Sequence, residues 1–326
     1  MDWKEEFKNF YFSPNVEDIP KAMELKRVNM PSKLYRYRPL NNVERFKDEV
    51  IDAHIYMASP KAFNDPFDSS SILKIEELKH SEKIKDRFEK LFRPFADRRI
   101  VREIFKHKDW FERLGAYCSY WDMQRTGCKY TDAKFEDVSK QYLCNEFEKM
   151  NEYINMLTCS LSKVACFTES NTNLPMWTHY AKEHSGVCLE YDFPKIGNAY
   201  FINRMFPVFY VKELPNGIKL PIEGHINREV SSDYLLLHKL DDWNYEKEWR
   251  LVYNASFWYD SLRTIPKEFY EEGKVIDFIR PSKIYLGYKV SEENEQFVRE
   301  IGERCNIPAV KMKCTNYGLK TEDESD

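Results

Sequence analysis

The chain has 326 residues, 42% hydrophobic, 15% aromatic and 32% charged, which is enough apolar material for one large core or two smaller ones and too much for a disordered polypeptide. A net charge of −4 argues against a general nucleic-acid binder, and no apolar run approaches the ~20 residues a membrane helix needs. The opening MDWKEEFKNF lacks the basic-then-apolar order of a secretory leader, and the eight cysteines include no C-x-x-C pair. Together these point away from a zinc or redox centre and toward a thiol-reducing cytoplasm.

Residues 1–30 read as an N-terminal helical segment ending near Pro31. The first part of an α+β core follows over 31–75. It begins with a strand at Leu34–Arg38 (LYRYR), in which Arg36 and Arg38 alternate with Tyr35 and Tyr37. A helix over 41–50 and a strand at His54–Ala58 lead into Ala62–Asp68, AFNDPFD. Asn64-Asp65-Pro66 is a turn signal, because Asx side chains bond the local backbone and proline fixes the next φ. Two phenylalanines anchor this turn while Asp65 and Asp68 project from it.

Residues 76–158 read as a helical insertion. Ile84, Phe88, Leu91, Phe92 and Phe95 fall at helical spacings, as do Phe135, Val138, Tyr142, Phe147, Met150, Ile154 and Leu157, with a loop expected over Tyr117–Thr131. Between Lys79 and Lys108 stand eleven Lys and Arg against five Asp and Glu, a net of +6 that leaves −10 elsewhere. Such a run on amphipathic helices is either a solvated outer face or a contact for nucleic acid or another phosphate-rich partner.

The most informative stretch is Cys166–Asp192. Apolar runs at Val164–Phe167 and Val187–Tyr191 read as buried strands. Between them lie a polar loop, Thr168–Asn173, and a short helix with Asn173 as N-cap, Pro175 in the first turn and Gly186 as the stop. On that helix Trp177, Tyr180, Ala181 and His184 are expected to share one face. Thr168, Glu169, Asn171 and His179 join them around one pocket. The second part of the core, 159–320, is mostly β, with a helix near Ser291–Cys305 and an acidic tail at 321–326. The fold class is α+β, a mixed or antiparallel sheet core with a helical insertion subdomain.

Trp243–Asn254, WNYEKEWRLVYN, reads as one strand. Trp243, Tyr245, Trp249, Leu251 and Tyr253 share a face, with Lys247 the exception, and Asn244, Glu246, Glu248, Arg250 and Val252 share the other. Two carboxylates so close either raise one pKa or require a cationic partner, and Arg250 stands beside them.

LYRYR, SPKAFNDPFD, CFTES, PMWTHYAKEHSGVCLEYD and WNYEKEWRLVY together resemble bacterial domain-of-unknown-function family 2971, from about Leu34 to Tyr253. The order of motifs is also similar, more distantly, to ADP-ribosyltransferases, in which an early strand bears Arg or His, a middle strand ends in a Ser/Thr motif and a late strand carries Glu-x-Glu. The counterparts here are Arg36 or Arg38, Phe167-Thr168 and Glu246-Lys247-Glu248. That resemblance implies NAD as substrate, with Glu248 at the ribose and Glu246 toward a macromolecular acceptor, in a toxin or phage-defence effector. It further implies that Arg36, Tyr37, Arg38, Asn64, Asp65, Thr168, Trp177, His179 and Tyr180 bind the nucleotide, with Trp177 or Tyr180 stacking on nicotinamide. Three other readings stay open: a Mg²⁺-dependent phosphodiesterase or nuclease using Asp65, Asp68 and Glu246 or Glu248, a Cys166–His179 hydrolase, and a nucleotide-sensing or protein-binding module without turnover. The ten glycines form no phosphate-binding loop.

Overall fold

The structure is a computed structural model and describes residues 2–82, 85–86, 109–127, 132–193, 199–218, 228–255, 271–316 and 318–323. It divides into two compact units: Met1–Ser69, Thr158–Leu214 and Ser232–Asp326 form the first, and Ser70–Leu157 with Pro215–Ser231 the second. In chain order the elements before the long helices are α1 (Trp3–Tyr11), α2 (Asp18–Asn29), β1 (Lys33–Arg38), α3 (Val43–Val50) and β2 (His54–Ala58). Then come α4 (Ile75–Lys79), α5 (Trp110–Thr126) and α6 (Asp132–Leu161). The chain returns to the sheet with β3 (Ser162–Thr168), α7 (Leu174–Tyr180), β4 (Val187–Asp192), α8 (Ala199–Arg204), β5 (Met205–Pro207) and β6 (Phe209–Val211). It closes with α9 (Arg228–Leu236), β7 (His238–Leu240), β8 (Glu248–Asn254), β9 (Gly273–Asp277), β10 (Lys283–Leu286), α10 (Glu292–Cys305), β11 (Ala309–Thr315) and β12 (Gly318–Thr321).

The first unit is an α+β fold on a mixed, mostly antiparallel sheet. Its strand order is β12-β11-β10-β4-β1-β3-β2-β9, with β8 on β3 and β5 on β8; β6 and β7 pair separately. Among the described residues, β10–β11 is the one parallel pair of the main sheet. Period-two alternation sorts the strands onto two cores. Leu34, Ile55, Met57, Phe167, Leu189, Trp249, Leu251 and Ile284 pack with Phe46, Val50, Val298 and Ile301 from α3 and α10. On the opposite face Tyr37, Cys188 and Tyr285 pack with Met176 and Trp177 of α7.

One irregularity of this sheet sets up the site. One edge of β3 pairs with β8 along its whole length, from Ser162↔Asn254 to Thr168↔Glu248. Its other edge is shared. There β1 touches it at Tyr35↔Thr168 and β2 at Ala58↔Val164. Between these positions β1 and β2 diverge, and a side chain closes the gap: Arg36 Nη2 donates to the carbonyl of Tyr56 at 2.8 Å.

The second unit packs Leu78, Trp110, Phe111, Ala116, Leu143 and Ile218, with Phe147, Met150 and Ile154 of α6 against them. The loop expected over Tyr117–Thr131 is helical as far as Thr126. Asp109 accepts from the Phe111 and Glu112 N–H groups to start α5, and Gly127, at φ 72°, ends it in the left-handed conformation. Phe135, Val138 and Tyr142 fall on α6. Most of the basic run, Lys83 and 87–108 with Arg98, Arg99 and Arg102, lies outside the described residues, as do Ile84, Phe88, Leu91, Phe92 and Phe95. Among the described residues no helix is long and apolar enough to cross a membrane.

The short helix α7 is capped by Asn173, whose side chain accepts from the Met176 N–H, but it stops at Tyr180. Lys182, Glu183 and His184 follow with φ of 47°, 51° and 69°. Although this left-handed turn ends the helix, Ala181 still packs with Trp177 and Tyr180, and the His184 ring stacks on Trp177 with centroids 6.2 Å apart. Gly186 follows the turn where a Cβ would stand 2.2 Å from the Arg38 carbonyl oxygen, so only glycine lets the chain pass.

Candidate functional site

A cavity of about 220 Å³ opens where β1 and β2 part, lined by residues of both strands, β3, α7, β7 and the start of β8. Alternation on β1 puts Arg36 and Arg38 on the face with Leu34, and the register Tyr35↔Thr168↔Glu248 puts Thr168 and Glu248 on the other. The gap lets side chains from both faces line one space. On the arginine side, Arg38 donates to Glu49 Oε1 at 2.6 Å, and Arg36 Nη1, 3.5 Å from that oxygen, is buried without a hydrogen-bond partner. Burial, together with the neighbouring Arg38 charge, pulls Arg36 down to about 10.

The opposite side is a buried ionic cluster. Residues 241–246 form a 3₁₀ turn, and Lys247 has φ 43°, so the single strand expected over Trp243–Asn254 begins only at Glu248. The break at Lys247, not strand alternation, brings the two glutamates to one place. The turn is pinned from both sides: Thr168 Oγ1 donates to the Glu246 carbonyl, Asn173 Nδ2 donates to the Tyr245 carbonyl, and the Glu248 N–H donates to Tyr210 Oη at 2.8 Å. Tyr180 Oη donates to Glu246 Oε1 at 2.7 Å, and Asn64 Nδ2 to Tyr180 Oη at 3.4 Å. Lys239 Nζ donates to Glu246 Oε2 at 2.6 Å and Glu248 Oε2 at 3.2 Å, and stands 3.5 Å from Asp68 Oδ2. Arg250, 0% exposed, forks onto two carboxylates. Its Nη1 and Nη2 donate to Asp68 at 2.8 and 2.6 Å, and its Nε and Nη2 to Glu248 at 2.8 and 3.1 Å.

These contacts drive the two glutamates in opposite directions. Burial works to raise Glu248, but the Arg250 and Lys239 charges outweigh it and hold the carboxyl down to about 2. Burial and then the Glu248 charge raise Glu246, against the lowering effect of Lys239 and Tyr180. Glu248 is therefore a fixed negative charge, and Glu246 is the carboxylate that takes up a proton first.

Of the residues singled out in the sequence, Arg36, Tyr37, Arg38, Asn64, Thr168, Tyr180, Glu246 and Glu248 line this cavity. Asp65, Trp177 and His179 do not. Asp65 is buried in its own turn, accepting from the Phe67 N–H. Trp177 is 0% exposed, edge-on to Tyr37 with its Nε1 donating to the Asn171 carbonyl, so its face is not available to stack on a ligand. His179 is exposed beside Tyr180 and Tyr245, while Cys166 is inside the cavity, where burial and then Glu248 push its thiol well up. These placements do not assemble the Cys166–His179 pair.

Sequence reasoning missed Lys239, although a signal was present: it stands in LLLHKL, where a lysine in an apolar run requires a buried anion. It also bears on the Mg²⁺ reading. Asp68, Glu246 and Glu248 do converge, but around the Lys239 ammonium, and Asp65 is not among them. Among the described residues no group of three or more His, Cys, Asp or Glu side chains is arranged to hold a metal ion.

Fold and cavity together define an α+β protein with a buried site of carboxylates, one ammonium and guanidinium groups. Residues 176–251 match a family described as "Protein of unknown function (DUF2971)". That stretch supplies Tyr180, Lys239, Glu246, Glu248 and Arg250, while Arg36, Arg38, Asp68 and Thr168 lie outside it. No curated protein and no solved structure matches the chain.

Proposed function

We propose that the chain is an ADP-ribosyltransferase-like enzyme that cleaves the nicotinamide–ribose bond of NAD and passes ADP-ribose to a macromolecular acceptor. The observation that carries the reading is the glutamate pair. Two carboxylates are pushed to opposite proton affinities in one cavity whose other side holds Arg36 and Arg38. When the glycosidic bond breaks, its electron pair leaves with nicotinamide and the ribose becomes cationic. The fixed charge of Glu248, itself buried, stabilises that cation electrostatically. The acceptor nucleophile then bonds to the ribose carbon and its proton passes to Glu246, the carboxylate with the raised affinity. Tyr180 holds Glu246 in place and is itself steadied by Asn64. Arg36, whose Nη1 has no hydrogen-bond partner, takes a phosphate oxygen. The cavity is smaller than the ~300–1,000 Å³ of a typical ligand site, so only the reacting half of the dinucleotide enters it.

The test is purified full chain with NAD labelled in nicotinamide or in adenylate, in EDTA and in Mg²⁺, beside a nuclease assay. Nicotinamide release in EDTA with adenylate label reaching protein or nucleic acid is the expected result. Metal-dependent cleavage of nucleic acid without nicotinamide release would overturn the reading in favour of a nuclease. Nucleotide binding without either activity would leave a sensing module.

A further inference from the structure

We infer that Lys239 is a positioning residue of this site: a tethered cation that holds Glu246 and Glu248 together and decides whether Glu246 is ionised. Its catalytic consequence rests on the reading of Glu246 as proton acceptor, but its electrostatic content does not. Three carboxylates converge here, and Arg250 is spent on two of them, Asp68 and Glu248. Among the described residues Lys239 is the one cation in contact with Glu246, at 2.6 Å. The other polar groups around that carboxylate are the hydroxyls of Tyr180, which donates to it, and of Tyr210 and Tyr245 nearby, all neutral at physiological pH. Lys239 is 3% exposed, so in the intact chain its own side chain fills the place of the cation. Its position is fixed from the backbone side as well. β7, which carries it, pairs with β6 through Tyr210↔Lys239, and the Trp243 ring lies 4.9 Å from its Nζ. A divalent ion set among the same carboxylates would satisfy their charge but would come and go with supply. A lysine makes the counter-charge permanent, and the site works in EDTA on this account.

Lys239→Met keeps the length of the side chain and removes the charge. The carboxyl band of Glu246, assigned by comparison with Glu246→Gln, is followed against pH by difference infrared spectroscopy, which needs no turnover. Losing an opposite charge at this range moves its titration up by ~1–3 pH units. The acid limb of kcat/KM for ADP-ribose transfer to the acceptor should move with it, a loss of about 10- to 10³-fold at pH values below both limbs. Lys239→Ala with added methylammonium should recover part of the wild-type titration, and Lys239→Arg most of it. A folded Lys239→Met whose Glu246 titrates as in wild type overturns the proposal. If Lys239→Met does not fold, Lys239→Arg decides: a folded Arg variant with a wild-type Glu246 titration supports the charge role, and one that also fails to fold assigns Lys239 to packing and sinks it. A shifted titration in a protein that never releases nicotinamide keeps the Lys239 assignment and refutes the NAD reading.

Discussion

Replacing Arg250 by Met is the sharpest test of the ionic cluster, because the cost can be worked out in two ways. The guanidinium is fully buried and bound to Asp68 and Glu248 at 2.6–2.8 Å. Removing one member of a buried ion pair leaves the other uncompensated, typically at a cost of ~3–5 kcal/mol. The Glu248 carboxyl gives a second figure. It falls from 4.5 to about 2 on folding, with Arg250 the largest of the effects that lower it, and that difference corresponds to about 3 kcal/mol. A loss of ~3–5 kcal/mol lowers the melting temperature by about 6–20 °C for a unit of this size. The sign with pH is also fixed. A carboxylate with a depressed folded pKa contributes stability above its unfolded pKa and loses it as pH falls toward 2. In Arg250→Met the same carboxyl, buried with only the Lys239 ammonium it shares with Glu246 and Asp68, is raised instead, so the folded state resists ionisation and the penalty grows as pH rises past about 4.5. The gap between wild type and variant should therefore be wider at pH 7 than at pH 5. Urea denaturation at both pH values measures it. A gap below about 1 kcal/mol, or one that does not change with pH, would refute the idea that Arg250 holds two buried anions.

Glu248→Gln, which keeps shape and removes the fixed charge, should slow nicotinamide release by ~10²–10³-fold, with nucleotide binding by calorimetry nearly unchanged; wild-type turnover would remove Glu248 from the chemistry. Tyr180→Phe takes away a hydrogen bond to the Glu246 carboxylate, an interaction worth ~1.5–3 kcal/mol when charged. Its kcat/KM for transfer to the acceptor should fall about 10- to 100-fold on the acid side and recover as pH rises, and a uniform loss at all pH values would point to misfolding of α7 instead. Lys26 is drawn down to about 7, by burial and then by Arg204, while donating to the carbonyls of Ile202 and Asn203. Its folded pKa lies below its unfolded value of 10.5, so the unfolded chain binds more protons between these limits and wild-type stability should rise from pH 7 to 10. Lys26→Met should flatten that rise in a pH series of thermal melts; an unaltered slope would assign the dependence to another group.

How much of this was legible in the sequence depended on whether the signal was local. LYRYR alternates, and β1 does carry its arginines and tyrosines to opposite faces. Asn173 reads as an N-cap and is one, because capping involves only the next three residues. Where the reading failed, the deciding contact was distant. Trp177 looked like a ligand platform by type, but the sheet behind it buries it against Tyr37, 140 positions earlier in the chain. The strand drawn through Trp243–Asn254 passed over Lys247, the one residue breaking its alternation, and that residue is where the backbone turns left-handed. Many of the cavity's lining residues were singled out by type, but its shape could not be read, since it arises where β1 and β2 each hold one end of the same edge of β3. A sheet that closed this gap with backbone hydrogen bonds would shut the arginines off from the glutamates. Arg36 spans it with a side chain instead, bonded to Tyr56 through Nη2 and leaving Nη1 buried without a hydrogen-bond partner, 3.5 Å from Glu49. A buried donor without a partner costs ~1–3 kcal/mol, and an anion held there would recover that cost on binding. The same residue that repairs the sheet is thus the one that the proposed reading assigns to the nucleotide's phosphate.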